Sequence, residues 1–181
     1  MSSLRITAGT LRGRRIPMPR GGVRPTSERA RQAFFDILGA RVEGARFLDL
    51  FAGSGIFSFE AVSRGAVAAV AVDVSRRNTA AIARHATELE VPVRAVTADA
   101  IEGIGRLPGE VFDVVYADPP YDYDDYAGLL GAIDEKLQFA EGAVIAVEHR
   151  RRTEPFTTER ERIRFTRRAE YGEVWISLFS G

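Results

Sequence analysis

The 181-residue chain has 25 basic and 25 acidic side chains, only two histidines and no cysteine, which excludes disulfides and thiolate metal sites and leaves no metal expected. Hydrophobic residues at 45% suit a folded domain with a real core. No apolar run approaches the roughly 20 residues of a membrane helix, and the opening "MSSLRITAGT" lacks the apolar core of a secretory signal, so a cytoplasmic protein is expected.

The zero net charge hides an asymmetry. Met1 to Arg46 carries ten arginines against three acids, Phe47 to Glu148 seven bases against seventeen acids, and His149 to Arg168 eight arginines against three acids. Lys136 is the only lysine. Arginine-rich segments on either side of an acidic centre suggest a surface for a polyanion around a core specialised for something else. A solvated, arginine-rich surface is the plainer alternative.

In chain order, "LRITAG" and "LRGRRIPM" read as a small hairpin with arginine on its exposed face. "GGVRPTSERARQAFFDIL" turns helical, with Thr26 or Ser27 as cap and an apolar stripe of Ala30, Phe34, Ile37 and Leu38. Strands and helices then alternate. The strands are "RFLDLF" (46–51), "VAAVAVD" (67–73), "VRAVTAD" (93–99), "VFDVVYAD" (111–118) and "GAVIAVEH" (142–149). The helices are "GIFSFEAVSRG" (55–65), "SRRNTAAIARHATELE" (75–90), a short turn near "AIEGIGRL", and "YAGLLGAIDEKLQF" (126–139). The end, "ERIRFTRR" and "GEVWISLF", reads as a hairpin on an antiparallel edge. Such alternation predicts a mostly parallel α/β sheet covered on both faces. Residues 1–22 are expected to form a basic extension and 23–181 the main domain.

Parallel sheets bind ligands beyond the carboxyl ends of their strands, and four such ends carry chemistry. "LDLFAGSG" (48–55) places Gly53 and Gly55 where a tight turn and close backbone approach are needed. A dinucleotide fingerprint would have a third glycine at Ser58, so the loop is nucleotide-like without matching that motif. Asp73 follows the glycines by about 20 residues, the place of a ribose-binding acid, and alone it reads equally as a helix cap. Asp99 in "TADA" could accept from an adenine amino group; by itself it reads first as a helix cap. The fourth end is "DPPY". Prolines fix φ and donate no N–H, so this corner presents two acceptors, the Asp118 carboxylate and the Pro119 carbonyl. Two fixed acceptors suit an exocyclic amine, and Tyr121 offers a face on which a base can stack.

Together these motifs resemble the class I methyltransferases that use S-adenosylmethionine. "LDLFAGSG" resembles their cofactor loop, "VAVD" the ribose acid, "TADA" the adenine-contacting acid and "DPPY" the signature of amino-group methyltransferases. The longer pattern "RITAGTLRGRRIPMP…RPTSERARQAFFDIL…LDLFAGSG…RGA…DPPY" closely resembles the bacterial 16S ribosomal RNA guanine-N2 methyltransferases of the RsmD type. It spans essentially the whole chain and is most specific between Arg5 and Gly65; the last 30 or so residues match only in pattern.

The resemblance implies a Rossmann-like class I methyltransferase fold with a mostly parallel seven-stranded sheet, helices on both faces and an N-terminal β-hairpin. It implies methyl transfer from S-adenosyl-L-methionine to the N2 amine of one guanine in 16S rRNA, the family's guanine 966, during small-subunit assembly. The cofactor would meet Asp49, Phe51, Ala52, Gly53, Ser54 and Gly55, then Asp73, Val74, Asp99 and Ala100, with Thr26 near its methionine end. Asp118, Pro119, Pro120 and Tyr121 would hold the target amine and its base. Phosphates would lie on Arg5, Arg12, Arg14, Arg15, Arg20 and Arg24, and on Arg150, Arg151 and Arg152 beyond the fifth strand. The expected partner is 16S rRNA within an assembly intermediate, the expected protein a monomer without metal or membrane contact. A DNA adenine-N6 methyltransferase would share the acceptor corner, and a non-catalytic RNA-binding assembly factor would share the charge pattern.

Overall fold

The computed structural model describes residues 3–18, 28–150 and 160–181. Thr26, Arg20, Arg24, Arg151 and Arg152 lie outside the described residues, as does Ser27, the other expected helix cap. The strands are β1 (Ser3–Arg5), β2 (Arg15–Pro17), β3 (Arg46–Leu50), β4 (Ala68–Asp73), β5 (Val93–Thr97), β6 (Val111–Ala117), β7 (Gln138–Arg150), β8 (Arg164–Tyr171) and β9 (Val174–Ser180). The helices are α1 (Glu28–Leu38), α2 (Ile56–Ser63), α3 (Arg76–Glu88), α4 (Ala100–Gly105) and α5 (Tyr126–Lys136).

Strands β3, β4, β6 and the second half of β7 are largely buried on both faces, and β3, β4, β5, β6 and β7 pair in parallel, in the sheet order β5-β4-β3-β6-β7-β9-β8. The chain winds outward from β3 in one direction and from β6 in the other. A switch point therefore opens between the carboxyl ends of β3 and β6. The expected seven-stranded, Rossmann-like sheet is present. The final hairpin forms the expected antiparallel edge, with β9 beside β7 and β8 outermost.

Alternating side chains divide the core. Phe47, Tyr116 and Ala146 face α1, α2 and α3, where Phe57 stacks on Tyr116 with ring centroids 4.0 Å apart. Leu48, Leu50, Val115 and Ile145 face α4 and α5, against Leu129 and Ile133. Each such large side chain, fully buried, contributes roughly 1.5–3 kcal/mol.

Three local expectations shift. Helix α5 ends at Lys136, because Leu137 turns extended and Phe139 pairs with Phe112, lengthening β7 toward its start. The α1 stripe is wider than expected: Arg31 and Phe35 are buried beside Ala30, Phe34 and Leu38, and Ile37 is half-buried. The β1–β2 pair is docked firmly, with Ile6 and Ile16 in the same core as α1 and α2.

That docking depends on α2. Gly9 takes φ 78°, and a Cβ there would fall 1.7 Å from the Ser63 carbonyl oxygen, so the close approach requires glycine. Glu60, fully buried, accepts from the Thr7 and Ala8 N–H groups and pairs with Arg31 at 3.4 Å and Arg64 at 3.0 Å. The tip of the strand pair thus rests at the C-terminal end of α2. The eight residues of α2 set that tip about 12 Å from the helix N-terminus.

Candidate active site

After β3 the backbone turns sharply. Phe51 takes φ 63°, an uncommon conformation for a side chain of its size, and Gly53 and Gly55 also have positive φ. Gly55 caps α2, and a Cβ there would come within 2.9 Å of Ile82, so only glycine fits. Over Gly53, by contrast, nothing lies closer than 4.0 Å to a Cβ position. The loop therefore leaves room for a ligand against its backbone.

The acids beside this loop hold it in place. Asp73 Oδ2 accepts from the Gly53 N–H at 2.7 Å, and Oδ1 accepts from the Ser75 N–H at 2.8 Å and from Asn78 Nδ2 at 3.1 Å. Asp99 caps α4 through the Ile101 N–H at 2.9 Å, so its capping role is real; it also lines the cleft. Asp49 is buried beneath the loop and accepts from the Ser58 N–H and hydroxyl at 3.1 and 2.8 Å. Burial, with the charges of Asp118 and Asp73 nearby, pushes its carboxyl up to about 7. Ser58, where a dinucleotide loop would have glycine, is the partner that Asp49 needs.

These elements enclose a cleft of about 370 Å³ bounded by Phe51, Gly53, Asp73, Val74, Asp99 and Ala100 on one side and by Asp118, Pro120 and Tyr123 on the other. Ser75, Asn78, Val72 and Ala98 complete it. Its volume suits a small molecule. Asp49, Ala52, Ser54 and Gly55 do not line it; they shape the loop from behind. Val74, 75% exposed, presents an apolar surface at the rim.

The Asp118-Pro119-Pro120-Tyr121 corner leaves β6 where the Asp118 N–H still reaches the Leu50 carbonyl, at 3.3 Å, and closes with Tyr123 N–H on the Pro120 carbonyl at 2.9 Å. On its far side lies a second, narrow cleft lined by Asp118, Pro119, Tyr121, Tyr123, Tyr126, Glu148, His149 and Arg150, with Glu173 and Val174. Asp118 and Tyr123 border both clefts. A run of aromatic contacts, Phe51 to Tyr123 to Tyr126 to His149 to Trp175, crosses from the first cleft through the second.

The second cleft is electrostatically unusual. Tyr116 donates to Glu148 Oε2 at 2.6 Å. Burial, and then the charge of Asp118, push the Glu148 carboxyl upward. Burial also raises Tyr126 and lowers His149, whose Nε2 lies 2.8 Å from the Ser177 hydroxyl. The Arg150 guanidinium lies 4.3 Å over the Tyr121 ring, on a face that a flat group can occupy.

The structure brings together most residues singled out in the sequence, with exceptions. Arg5, Arg12, Arg14 and Arg15 are exposed on the β1–β2 pair and line neither cleft. Arg12 and Arg14 sit toward the tip, at the end of α2 remote from the cleft. Arg5 is nearer the start of α1, paired with Glu28 at 3.3 Å. Sequence reading missed Glu148, Tyr116, Tyr123, Tyr126 and Asn78. For Glu148 a signal existed: it follows an apolar strand at its carboxyl end, as Asp73 and Asp118 do.

A family model described as "Conserved hypothetical protein 95" matches residues 4–180. The ribosomal RNA small subunit methyltransferase D of Escherichia coli is 31% identical over 147 residues, covering 80% of this chain and 74% of its own length. The Bacillus subtilis protein YlbH is 30% identical over 187 residues, covering 97% and 98%. Among solved structures, Escherichia coli yhhF superposes with a TM-score of 0.85 at 27% identity, covering 99% of this chain and 98% of that one.

Proposed function

This chain belongs to the conserved hypothetical protein 95 family, of RsmD type, and from that premise we propose that it methylates ribosomal RNA of the small subunit. In the finer form of this reading, the donor is S-adenosylmethionine and the acceptor is the N2 amine of one guanine, the family's guanine 966 in 16S rRNA. The observation that carries it is the position of Asp118 on the wall shared by two clefts. One cleft takes the donor; the base enters against the other, which offers only about 30 Å³ while Arg150 covers the Tyr121 ring and widens when that guanidinium gives way, and the two meet at that wall.

The residues of the first cleft fit the cofactor. The open backbone at Gly53 admits its methionine end, Asp73 retains lone pairs for ribose hydroxyls, and Asp99, Ala100 and Val74 border a flat adenine site. When bound, S-adenosylmethionine supplies a methyl group on a sulfonium, already a good leaving group. The remaining difficulty is the amine, whose lone pair is delocalised into the guanine ring. Asp118 and the Pro119 carbonyl, held rigid by the two prolines, accept its two N–H bonds and steer the nitrogen toward a tetrahedral arrangement. Such positioning can supply roughly 7–11 kcal/mol of a barrier in favourable systems. Asp118 also stabilises the positive charge that grows on nitrogen. It serves as acceptor, and water removes the proton the amine sheds.

The acidic stretch 122–125 beside the corner repels phosphates, so the base enters there while the backbone stays on arginine surfaces. Beyond the residues expected for this role, β8 exposes Arg164, Arg167 and Arg168. The reading is tested by incubating the protein with methyl-labelled cofactor and, in parallel, either small-subunit particles from cells lacking it or duplex DNA, then mapping the label. Label on N2 of a single guanine is expected. Label on DNA adenine instead, or on no RNA or particle, overturns it.

A further inference from the structure

Glu148 occupies a place that the methyl-transfer account leaves unused. The β6–β7 register ends with Ala117 opposite Val147, so Asp118 and Glu148 are the next pair along it. Neighbouring strands lie about 4.8 Å apart, which sets the two carboxyl groups side by side on the wall of the second cleft. Glu148 is only 6% exposed. Tyr116 holds its Oε2 at 2.6 Å, and among the described residues no other hydrogen bond to the Glu148 carboxylate is formed. Oε1 is left for the cleft that Glu148 helps to line.

We propose that Glu148 is the specificity residue of the base cleft and accepts the N1–H of guanine, next to the amine held by Asp118. This rests on the methyltransferase reading above. In guanine the N1–H and the 2-amino group lie on one edge, so two neighbouring acceptors match two neighbouring donor groups. Adenine presents a lone pair at N1, which a carboxylate repels and leaves unpaired. A buried acceptor thus selects guanine both by attraction and by the cost of the wrong base. Tyr116 fixes the orientation of the carboxyl from below. Burial beside Asp118 disfavours the ionised form while the cleft is empty; the incoming N1–H favours the carboxylate, so guanine binds with release of the Glu148 proton to solvent. Tyr121 supplies the stacking face: Arg150 already rests there, 4.3 Å above the ring, as a planar group of the kind a purine would replace.

The test uses small-subunit particles rebuilt with either guanine or 2-aminopurine at the target position. 2-Aminopurine keeps the 2-amino group and has a bare lone pair at N1. Wild-type protein is expected to favour guanine in kcat/KM by about 10- to 100-fold, the range for one well-formed base contact. Glu148→Gln, whose amide can donate as well as accept, is expected to reduce that ratio to within a few fold of unity, with cofactor Kd unchanged. Tyr116→Phe is expected to lower guanine turnover about tenfold with its Glu148 acceptor still present, and to keep the preference. A guanine preference that stays at the wild-type value in Glu148→Gln overturns the role of Glu148 and leaves the methyltransferase reading intact. Wild-type protein that methylates neither particle overturns both.

Discussion

The backbone N–H of Gly53 lies 2.7 Å from Oδ2 of Asp73, so the turn after β3 and the acid that ends β4 form one unit. Removing the carboxylate would take away a ligand acceptor and also release the loop against which the ligand lies. Asp73→Ala is expected to weaken S-adenosylmethionine about 100-fold by calorimetry, as loss of charge-assisted hydrogen bonds allows. It should also lower Tm by several degrees. An unchanged Kd would remove Asp73 from the site.

Glu60 is the junction of the N-terminal strand pair, α1 and α2. It is fully buried, and its loss would strand Arg31, also fully buried, without its counter-charge. Glu60→Ala is expected to cost about 3–5 kcal/mol in chemical denaturation, the range for breaking a buried pair. Replacing Arg31 with leucine in the same chain should recover a large part of that loss. Simple additivity of the two substitutions would contradict the coupling.

Glu148 gives a pH dependence with a definite sign. Burial and the Asp118 charge raise its carboxyl from 4.5 to about 8 in the folded protein. A raised folded value means that the stability contributed by the protonated group is complete below about 4.5 and is lost as pH rises through about 8. Glu148→Gln cannot titrate. The Tm of wild type should therefore fall relative to that of Glu148→Gln between about pH 5 and pH 9, by on the order of several degrees. Parallel curves would contradict the burial of this charge. Asp49, raised by its own burial, acts in the same direction in both proteins and cancels from the difference.

The strand-pair arginines are best tested by substitution. Deleting the segment would remove Ile6 and Ile16 from the core and leave Glu60 without its Thr7 and Ala8 donors. Arg5→Ala with Arg15→Ala should weaken rRNA binding and flatten its salt dependence by about 0.7–0.9 in log–log slope for each phosphate that is no longer neutralised. The same changes at Arg12 and Arg14, at the tip remote from the cleft, should have the smaller effect on turnover. An unaltered slope in all four would remove the strand pair from the RNA surface.

Much of this is legible in the sequence because parallel strands are apolar on both faces and end in polar residues that have few structural reasons to be there. Asp73, Asp99 and Asp118 each stand out in that way. The capping role of Asp99 is readable from its place before a helix, but the tie between Asp73 and Gly53 is not, because it depends on a contact between separate strands. Arg31 is unreadable for a similar reason: the carboxylate it pairs with, Glu60, lies 29 residues on. The insertion of β9 between β7 and β8 also escapes prediction, since a short connection specifies a hairpin and not which of its strands meets the sheet. Glu148 carries the same signal as Asp118 and is easily missed, because no proline-rich corner marks it.

In the proposed reading Asp118 borders the cofactor cleft but serves the amine, while Gly53, Asp73 and Asp99 hold the cofactor. The most direct test of that division is Asp118→Ala, assayed for methyl transfer to small-subunit particles and, separately, for S-adenosylmethionine affinity. Turnover is expected to fall by about a thousandfold or more, with cofactor Kd within a few fold of wild type. Turnover that survives, or cofactor affinity that collapses in parallel with it, would contradict the account.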